Sequence, residues 1–353
     1  MREIGSIFPI GLQNGSECGR GLNFGSSVKL YSLCREALLS FLLAINPQQK
    51  VALLPAYTCS TVIDPFAQLG WDISFYSINK DLSLNVDSLL SQAHRCGPSV
   101  VLFHPYYGTD YSIQELDAIK LLKEGGCQTV EDLTQNLFAP KHEEVFTCRV
   151  GSIRKWFPIP DGGFLDAPIE VDGCSLPYES FYLPQLVAMK LRAKYFETGD
   201  AELKALSIQL NKYAVRHARE PLSAHAVSDY TLAALENVNV EGCIETRLDN
   251  FSTLLNGLVD CLNVTLPIRD MRRLAGAPLY FPLYVHGSRE AFQSQIAARA
   301  VYAPILWVPA SGDVLVDDTV RMIYDRILAI PCDQRYSRED MLRVVEAIKT
   351  VES

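Results

Sequence analysis

The sequence predicts an α/β protein: a mostly parallel sheet flanked by helices, followed by a smaller C-terminal α+β part. Three observations carry this. Short β-rich runs alternate with helical periodicity through the first half, the pattern turns helical after about residue 184, and the last hundred residues mix both kinds of element. At 353 residues, 48% hydrophobic and 21% charged, the chain is long enough for two unequal globular parts and too apolar for disorder.

Taken in order, strands are expected at 51–54, where Pro55 ends the apolar run, then at 73–78, 99–104, 128–131, 145–150 and 163–165. Between them, helical spacing covers 32–45, 60–69, 86–94 and 113–124, with Pro65 expected to kink or shorten the second. Strands joined through helices must run parallel, with helices on both faces. From 184 to 219 the pattern is helical in two pieces broken at Gly199-Asp200, and another long helix is expected from 230 towards 262. A strand at 279–285 and helices at 289–298 and 338–351 complete the smaller part. No linker marks a boundary, so the division is placed inside or beside the long helix, giving 1–240 and 241–353.

The net charge of −9 disfavours nonspecific binding to nucleic acid or to an anionic membrane. The N-terminus has no basic segment leading into a long apolar run, and residues 37–45 are too short to span a bilayer, so a cytoplasmic protein is expected. The ten cysteines form no C-x-x-C pair and the six histidines no cluster, which predicts reduced thiols and no metal site.

In an open parallel sheet, ligands bind beyond the carboxyl ends of the strands, so the residues that follow each strand carry the chemistry. Four such places stand out. Ser32-Leu33-Cys34-Arg35 opens a helix, with Ser32 as the expected N-cap and Arg35 as a cation beside the first amides, an arrangement suited to phosphate. Tyr57-Thr58-Cys59 is a polar and aromatic turn. Asp132, closing a buried run before Thr134 and Gln135, either caps the next helix or holds a protonated ring nitrogen. Lys155, between Arg154 and Trp156 and ahead of Pro158, Pro160 and Gly162-Gly163, is poorly placed as a solubilising charge. Desolvation and a neighbouring cation both expose a lysine's neutral amine, which a Schiff base to an aldehyde cofactor requires.

These four places, in this order, resemble the DegT/DnrJ family of pyridoxal-phosphate-dependent sugar aminotransferases, most strongly over 55–76, 129–138, 151–165 and 328–348. The resemblance spans nearly the whole chain and implies the fold-type-I aminotransferase fold, a homodimer, and pyridoxal 5'-phosphate as cofactor. By the same resemblance Lys155 is the catalytic lysine that holds the cofactor and moves the proton. Asp132 pairs with the pyridine nitrogen, Gln135 faces the ring or its phenolic oxygen, and Ser152 with Cys34 and Arg35 holds the phosphate. Cys34-Arg35 stands where the family has Gly-Thr. Cys59 stands where it has a stacking aromatic, for which Tyr57 or Tyr107 is the expected substitute and substrate contact.

Two further departures are visible. Ser152 and Lys155 are closer together than in the family, and Ser228-Asp229-Tyr230 replaces an Asn-Tyr-Arg segment that reaches the partner subunit's cofactor phosphate. The implied reaction passes an amino group from an amino acid, glutamate in this family, to a nucleotide-linked keto sugar. The alternatives are another pyridoxal-phosphate enzyme, a lyase or non-sugar aminotransferase, or a degenerate cofactor-binding regulatory protein. Arg335 is either a donor-carboxylate residue or a salt-bridged structural one, and Trp307 either stacks on a sugar or packs in the smaller part.

Overall fold

The computed structural model describes residues 3–11, 21, 22, 25, 27–171, 174, 176–218 and 222–351. Its larger sheet is built from β1 (Val28–Tyr31), β2 (Val51–Pro55), β3 (Asp72–Tyr76), β4 (Val100–Phe103), β5 (Gln128–Asp132), β6 (Cys148–Ser152) and β7 (Gly163–Asp166) in the order β1-β7-β6-β5-β4-β2-β3. The five strands from β3 to β6 pair in parallel; β7 is antiparallel to both β6 and β1, so β7 alone runs the other way. The mostly parallel sheet expected from the sequence is therefore present. Strand β1 was not foreseen, because Val-Lys-Leu-Tyr is too short and too mixed to stand out without its partner β7. The strand expected at 73–78 stops at Tyr76, and the one expected at 145–150 begins only at Cys148.

Alternation along the strands divides the core. Ala52, Leu54, Val100 and Leu102 face one side, where they meet Ala37, Leu38 and Phe41 of α1 (Cys34–Ile45) and Phe66 of α2 (Ser60–Gln68). Leu53, Val101 and Phe103 face the other, against Leu89 and Ala93 of α3 (Val86–Cys96) and Ile119 of α4 (Ile113–Glu124). Each fully buried phenylalanine contributes about 2–3 kcal/mol. Pro65 is accommodated inside α2, which runs on to Gln68.

Two long helices follow, α5 (Glu179–Thr198) and α6 (Ala201–His217), separated as expected at Gly199, whose left-handed backbone ends α5, and at Asp200, whose side chain accepts from the Glu202 amide at 2.8 Å and caps α6. Helix α5 starts five residues ahead of the expected position and carries Pro184 inside it; Arg219 lies outside the described residues. The single helix expected from 230 is instead two, α7 (Asp229–Leu235) and α8 (Val240–Leu258). Asn239 interrupts them: its side chain accepts from the Gly242 amide at 2.8 Å and starts α8 afresh, a capping preference that outweighs periodicity.

After α8 comes a three-stranded antiparallel sheet of β8 (Val264–Thr265), β9 (Phe281–Val285) and β10 (Ile327–Ile330), with α9 (Arg289–Ala297), α10 (Asp318–Arg326) and α11 (Arg338–Lys349). Helix α10 is tied back to the larger sheet: the Tyr324 hydroxyl donates to the carbonyl oxygens of Ala56 and Thr58, at 2.9 and 3.2 Å. No helix among the described residues is long and apolar enough to cross a membrane.

Candidate active site

Strands β1, β2, β4, β5 and β6 end at one edge of the sheet, and the residues that follow them meet there. The chain passes from β2 outward to β3 and returns on β2's other side as β4, so the strand order reverses beside β2, the place where open α/β sheets hold ligands. A cavity of about 180 Å³ opens at this edge. Cys34 and Arg35 line it from the start of α1, Cys59 from the turn after β2, Asp132 and Gln135 from the end of β5, and Ser152 and Lys155 from the end of β6. Seven residues chosen from four separate stretches of sequence thus share one cavity.

Each is positioned by its own local structure. The Ser32 hydroxyl donates to Asp161 at 3.0 Å instead of capping α1, so α1 begins at Cys34 with Leu33 as its N-cap and no capping side chain. Ser32 as N-cap is therefore corrected: the buried Asp161 carboxylate outcompetes the helix for the hydroxyl. The amides of Cys34 and Arg35, the first two of α1, are left open. Arg35 is nearly buried and reaches Asp64 at 3.3 Å. Burial, and then the charge of Asp132, push the Cys34 thiol well above its ordinary range, so it stays protonated.

Asp132 is buried and serves two purposes. One carboxylate oxygen accepts from the Thr134 amide at 2.9 Å and starts the short helical turn Leu133–Gln135; the other faces His104 Nδ1 at 3.6 Å. Burial lowers the His104 pKa despite that carboxylate, so the imidazole is neutral and the contact is too long for a strong hydrogen bond. Its Nε2 lies 2.9 Å from the Thr58 hydroxyl. Gln135 accepts from the Tyr107 amide at 3.0 Å through Oε1, while its buried Nε2 has no partner.

Lys155 ends the turn Ile153–Lys155, which follows β6. Its neighbour Trp156 is wholly buried, with the indole N–H donating to the Thr134 carbonyl at 3.1 Å and the Arg247 guanidinium 4.4 Å from the ring centre. The Gln334 amide holds the Trp156 carbonyl at 2.6 Å. This anchoring leaves Lys155 Nζ with no hydrogen bond or ion pair to a described residue, and its charge acts on both Cys34 and His104. Further along the same loop, Gly162 adopts φ +131°, and a Cβ on Gly163 would overlap the Cys34 backbone nitrogen. Glycine there lets β7 and the start of α1 touch.

Tyr57 and Tyr107 do not line the cavity, which corrects the expectation that either contacts substrate. Both are fully buried behind it, hydroxyl to hydroxyl at 3.2 Å. Ring surface comes instead from His104 and from Trp307, which arrives from the stretch between α9 and α10 and packs 5.6 Å from His104 and 4.6 Å from Tyr57. Trp307 therefore packs against Tyr57 and His104 and also lines the cavity. The site residues not singled out in the sequence are His104, Thr134 and Arg154. The first follows an apolar strand and could have been found by the rule that found Asp132.

A second, larger cleft of about 640 Å³ adjoins the first, and Arg154 and Lys155 line both. It is bounded by residues 5–8, by Gln185 and Met189 of α5, and by Tyr280, Tyr302 and Asp333 of the C-terminal part. Arg335 borders it too, but is bound twice to Asp333 at 2.7 Å and packs over Phe8, a structural role. Among the described residues, no cluster of metal-ligating side chains occurs, and the nine described cysteines are unbridged.

No family model and no curated protein matches the sequence. Solved structures match in shape. The sugar aminotransferase CalS13 from Micromonospora echinospora superposes with a TM-score of 0.64 at 16% identity over 92% of this chain and 87% of that one. The ntda protein from Bacillus subtilis, with PMP bound, gives 0.63 at 15% over 92% and 73%. A mutant of the GDP-4-keto-6-deoxymannose-3-dehydratase ColD, with GDP-perosamine bound, gives 0.64 at 12% over 91% and 88%. The chain has the fold of these enzymes, the fold-type-I aminotransferase fold.

Proposed function

We propose that this protein is a pyridoxal-phosphate-dependent aminotransferase that passes an amino group from an amino acid, glutamate by resemblance, to a nucleotide-linked keto sugar. The observation that carries the reading is the sharing of one cavity by an unpartnered Lys155 amine and the buried Asp132 carboxylate. The donor set fits the cofactor: a carboxylate, a free amine, an orphaned Gln135 amide, and a region of uncapped amides and cations. The sugar aminotransferase CalS13 and the PMP-bound ntda protein, which share the fold, support it.

Bound there, the cofactor supplies an aldehyde for amine exchange and a ring that accepts electrons. Asp132 would keep the ring nitrogen protonated. Lys155 Nζ would form the covalent link and, once released, would hold and return the proton that the exchange moves. Gln135 Nε2, which has no partner, would be free to donate to the cofactor, and neutral His104, Trp307 and Cys59 line the same cavity. Ser152, Arg35 and the first amides of α1, beginning at Cys34, hold the phosphate. The larger cleft takes the substrates, with residues 1–240 as the cofactor part and 241–353 as the part that covers the cleft. The reading also carries a homodimer and a cytoplasmic location.

The purified protein with added pyridoxal phosphate should show a visible absorption band that borohydride bleaches, that Lys155→Ala removes, and that glutamate shifts to the amine form. A protein that keeps no such band once excess cofactor is removed refutes the reading. A band that no amino donor changes refutes transamination and leaves a cofactor-binding protein.

A further inference from the structure

Arg154 forms no ion pair with a described residue, although the Asp161 carboxylate acts on it from beyond ion-pair distance. Its guanidinium lines both the small cavity and the cleft, its Nε is buried with no hydrogen-bond partner, and no carboxylate among the described residues lies within ion-pair distance. Its neighbour is the Phe181 ring, 5.3 Å from Cζ. The charge that acts on it most is another cation, Arg35, which pushes its pKa in the same downward direction as burial does. Arg35 is already matched to Asp64. A half-buried guanidinium whose buried Nε has no partner, set beside a second cation, is costly unless an anion completes it.

The surroundings say what kind of anion. Ser152 lines the same cavity, and its hydroxyl makes no hydrogen bond to a described residue. The twelve-residue helix α1 opens there with no capping side chain on its N-cap residue, and the amides of Cys34 and Arg35 make no hydrogen bond to a described residue, while the Glu36 amide bonds the Leu33 carbonyl at 3.1 Å. A planar fork of N–H donors, a free hydroxyl and a helix start offer more donors than a carboxylate can use, and match a phosphate monoester dianion. Resting on the cofactor reading above, we propose that Arg154, supplied by the same chain that carries Lys155, is the principal charged ligand of the cofactor's phosphate.

The test compares the full-length protein with Arg154→Gln and Arg154→Lys, titrated with pyridoxal phosphate, with pyridoxal and with inorganic phosphate, and followed by tryptophan fluorescence and by the borohydride-reducible adduct. Losing a charge-assisted pair should weaken pyridoxal phosphate by roughly 10- to 100-fold in Arg154→Gln. Pyridoxal binding should be unchanged, and Arg154→Lys should recover part of the loss. Inorganic phosphate should compete with pyridoxal phosphate in the wild type and lose that ability in Arg154→Gln.

Equal weakening of both aldehydes, no weakening of either, or a raised KM for the amino donor with cofactor affinity intact would each overturn the proposal. The last outcome would move Arg154 to the substrate side. A wild-type protein that forms no adduct with either aldehyde overturns the cofactor reading instead. The phosphate arm then still decides whether Arg154 holds a phosphate.

Discussion

Within the single loop that joins β6 to β7, the charged groups at the two ends are treated in opposite ways. Asp161 is saturated: its carboxylate accepts from the hydroxyls of Ser32 at 3.0 Å, Ser228 at 2.7 Å and Thr231 at 2.5 Å, and from the Ser228 amide at 2.9 Å. Lys155 and Arg154, at the other end of the loop, make no ion pair with a described residue, and Arg154 Nε is buried without a hydrogen-bond partner. The contrast separates scaffold from site. Where the folded chain satisfies every polar atom, the group holds elements together, here α1, α7 and the loop; where it leaves donors open at a cavity, the missing partner is a ligand.

The largest effect on stability should come from the saturated group. Asp161→Ala strands three hydroxyls and an amide in a buried place and should cost about 3–5 kcal/mol in urea unfolding. Lys155→Ala, which breaks no bond to the protein, should change the same quantity by less than about 1 kcal/mol while abolishing the visible band. Equal costs for the two would break the comparison. Gly163→Ala sharpens it: the added methyl presses on the Cys34 backbone, and overpacking of this kind costs about 1–3 kcal/mol. Because the displaced segment is the start of α1, affinity for pyridoxal phosphate should fall more than affinity for pyridoxal.

The smallest effect concerns another buried charge, Glu36 of α1, which accepts from the His225 ring at 3.0 Å and from the amides of Leu33 and His225, each at 3.3 Å. Burial raises the Glu36 pKa above 4.5, and the carboxylate raises the His225 pKa above 6.5. Both shifts mean that the folded protein binds more protons than the unfolded chain. Their contribution to stability is present in full below those ordinary values and is lost as the pH rises through the raised ones. The urea midpoint should therefore fall as the pH is taken from about 5 to about 9, and less so in His225→Gln. An identical slope in the variant would remove His225 from the account.

Much of the fold was legible because parallel strands buried on both faces read as apolar runs, and because turn and cap residues punctuate them. The edge strand β1 was not, since only pairing with β7 makes it a strand. Asp132, Ser152 and Lys155 could be picked out because each polar residue closes an apolar run at the same edge of the sheet. Tyr57 and Tyr107 misled because a tyrosine's polarity does not reveal which way it points, and both hydroxyls turned inward to each other. Trp307 reaches the cavity from far along the chain, so no local pattern could announce its arrival. Arg154 was visible as a cation beside Lys155, but its lack of a partner is a three-dimensional fact.

The reversed strand β7 also shapes how the site could be altered. Ser152 pairs directly with Gly163, so the residues between them form a hairpin loop whose two ends are fixed to one another. The other cavity groups hang from the ends of different strands or from a helix start, and moving them means moving a layer of the protein. Lys155 and its neighbour Arg154 ride together on this segment, which can gain or lose residues without shifting the register of the sheet. A library of loop lengths between Lys155 and Asp161 would therefore vary the reach of both side chains while the groups on β5 and at the start of α1 stay as they are.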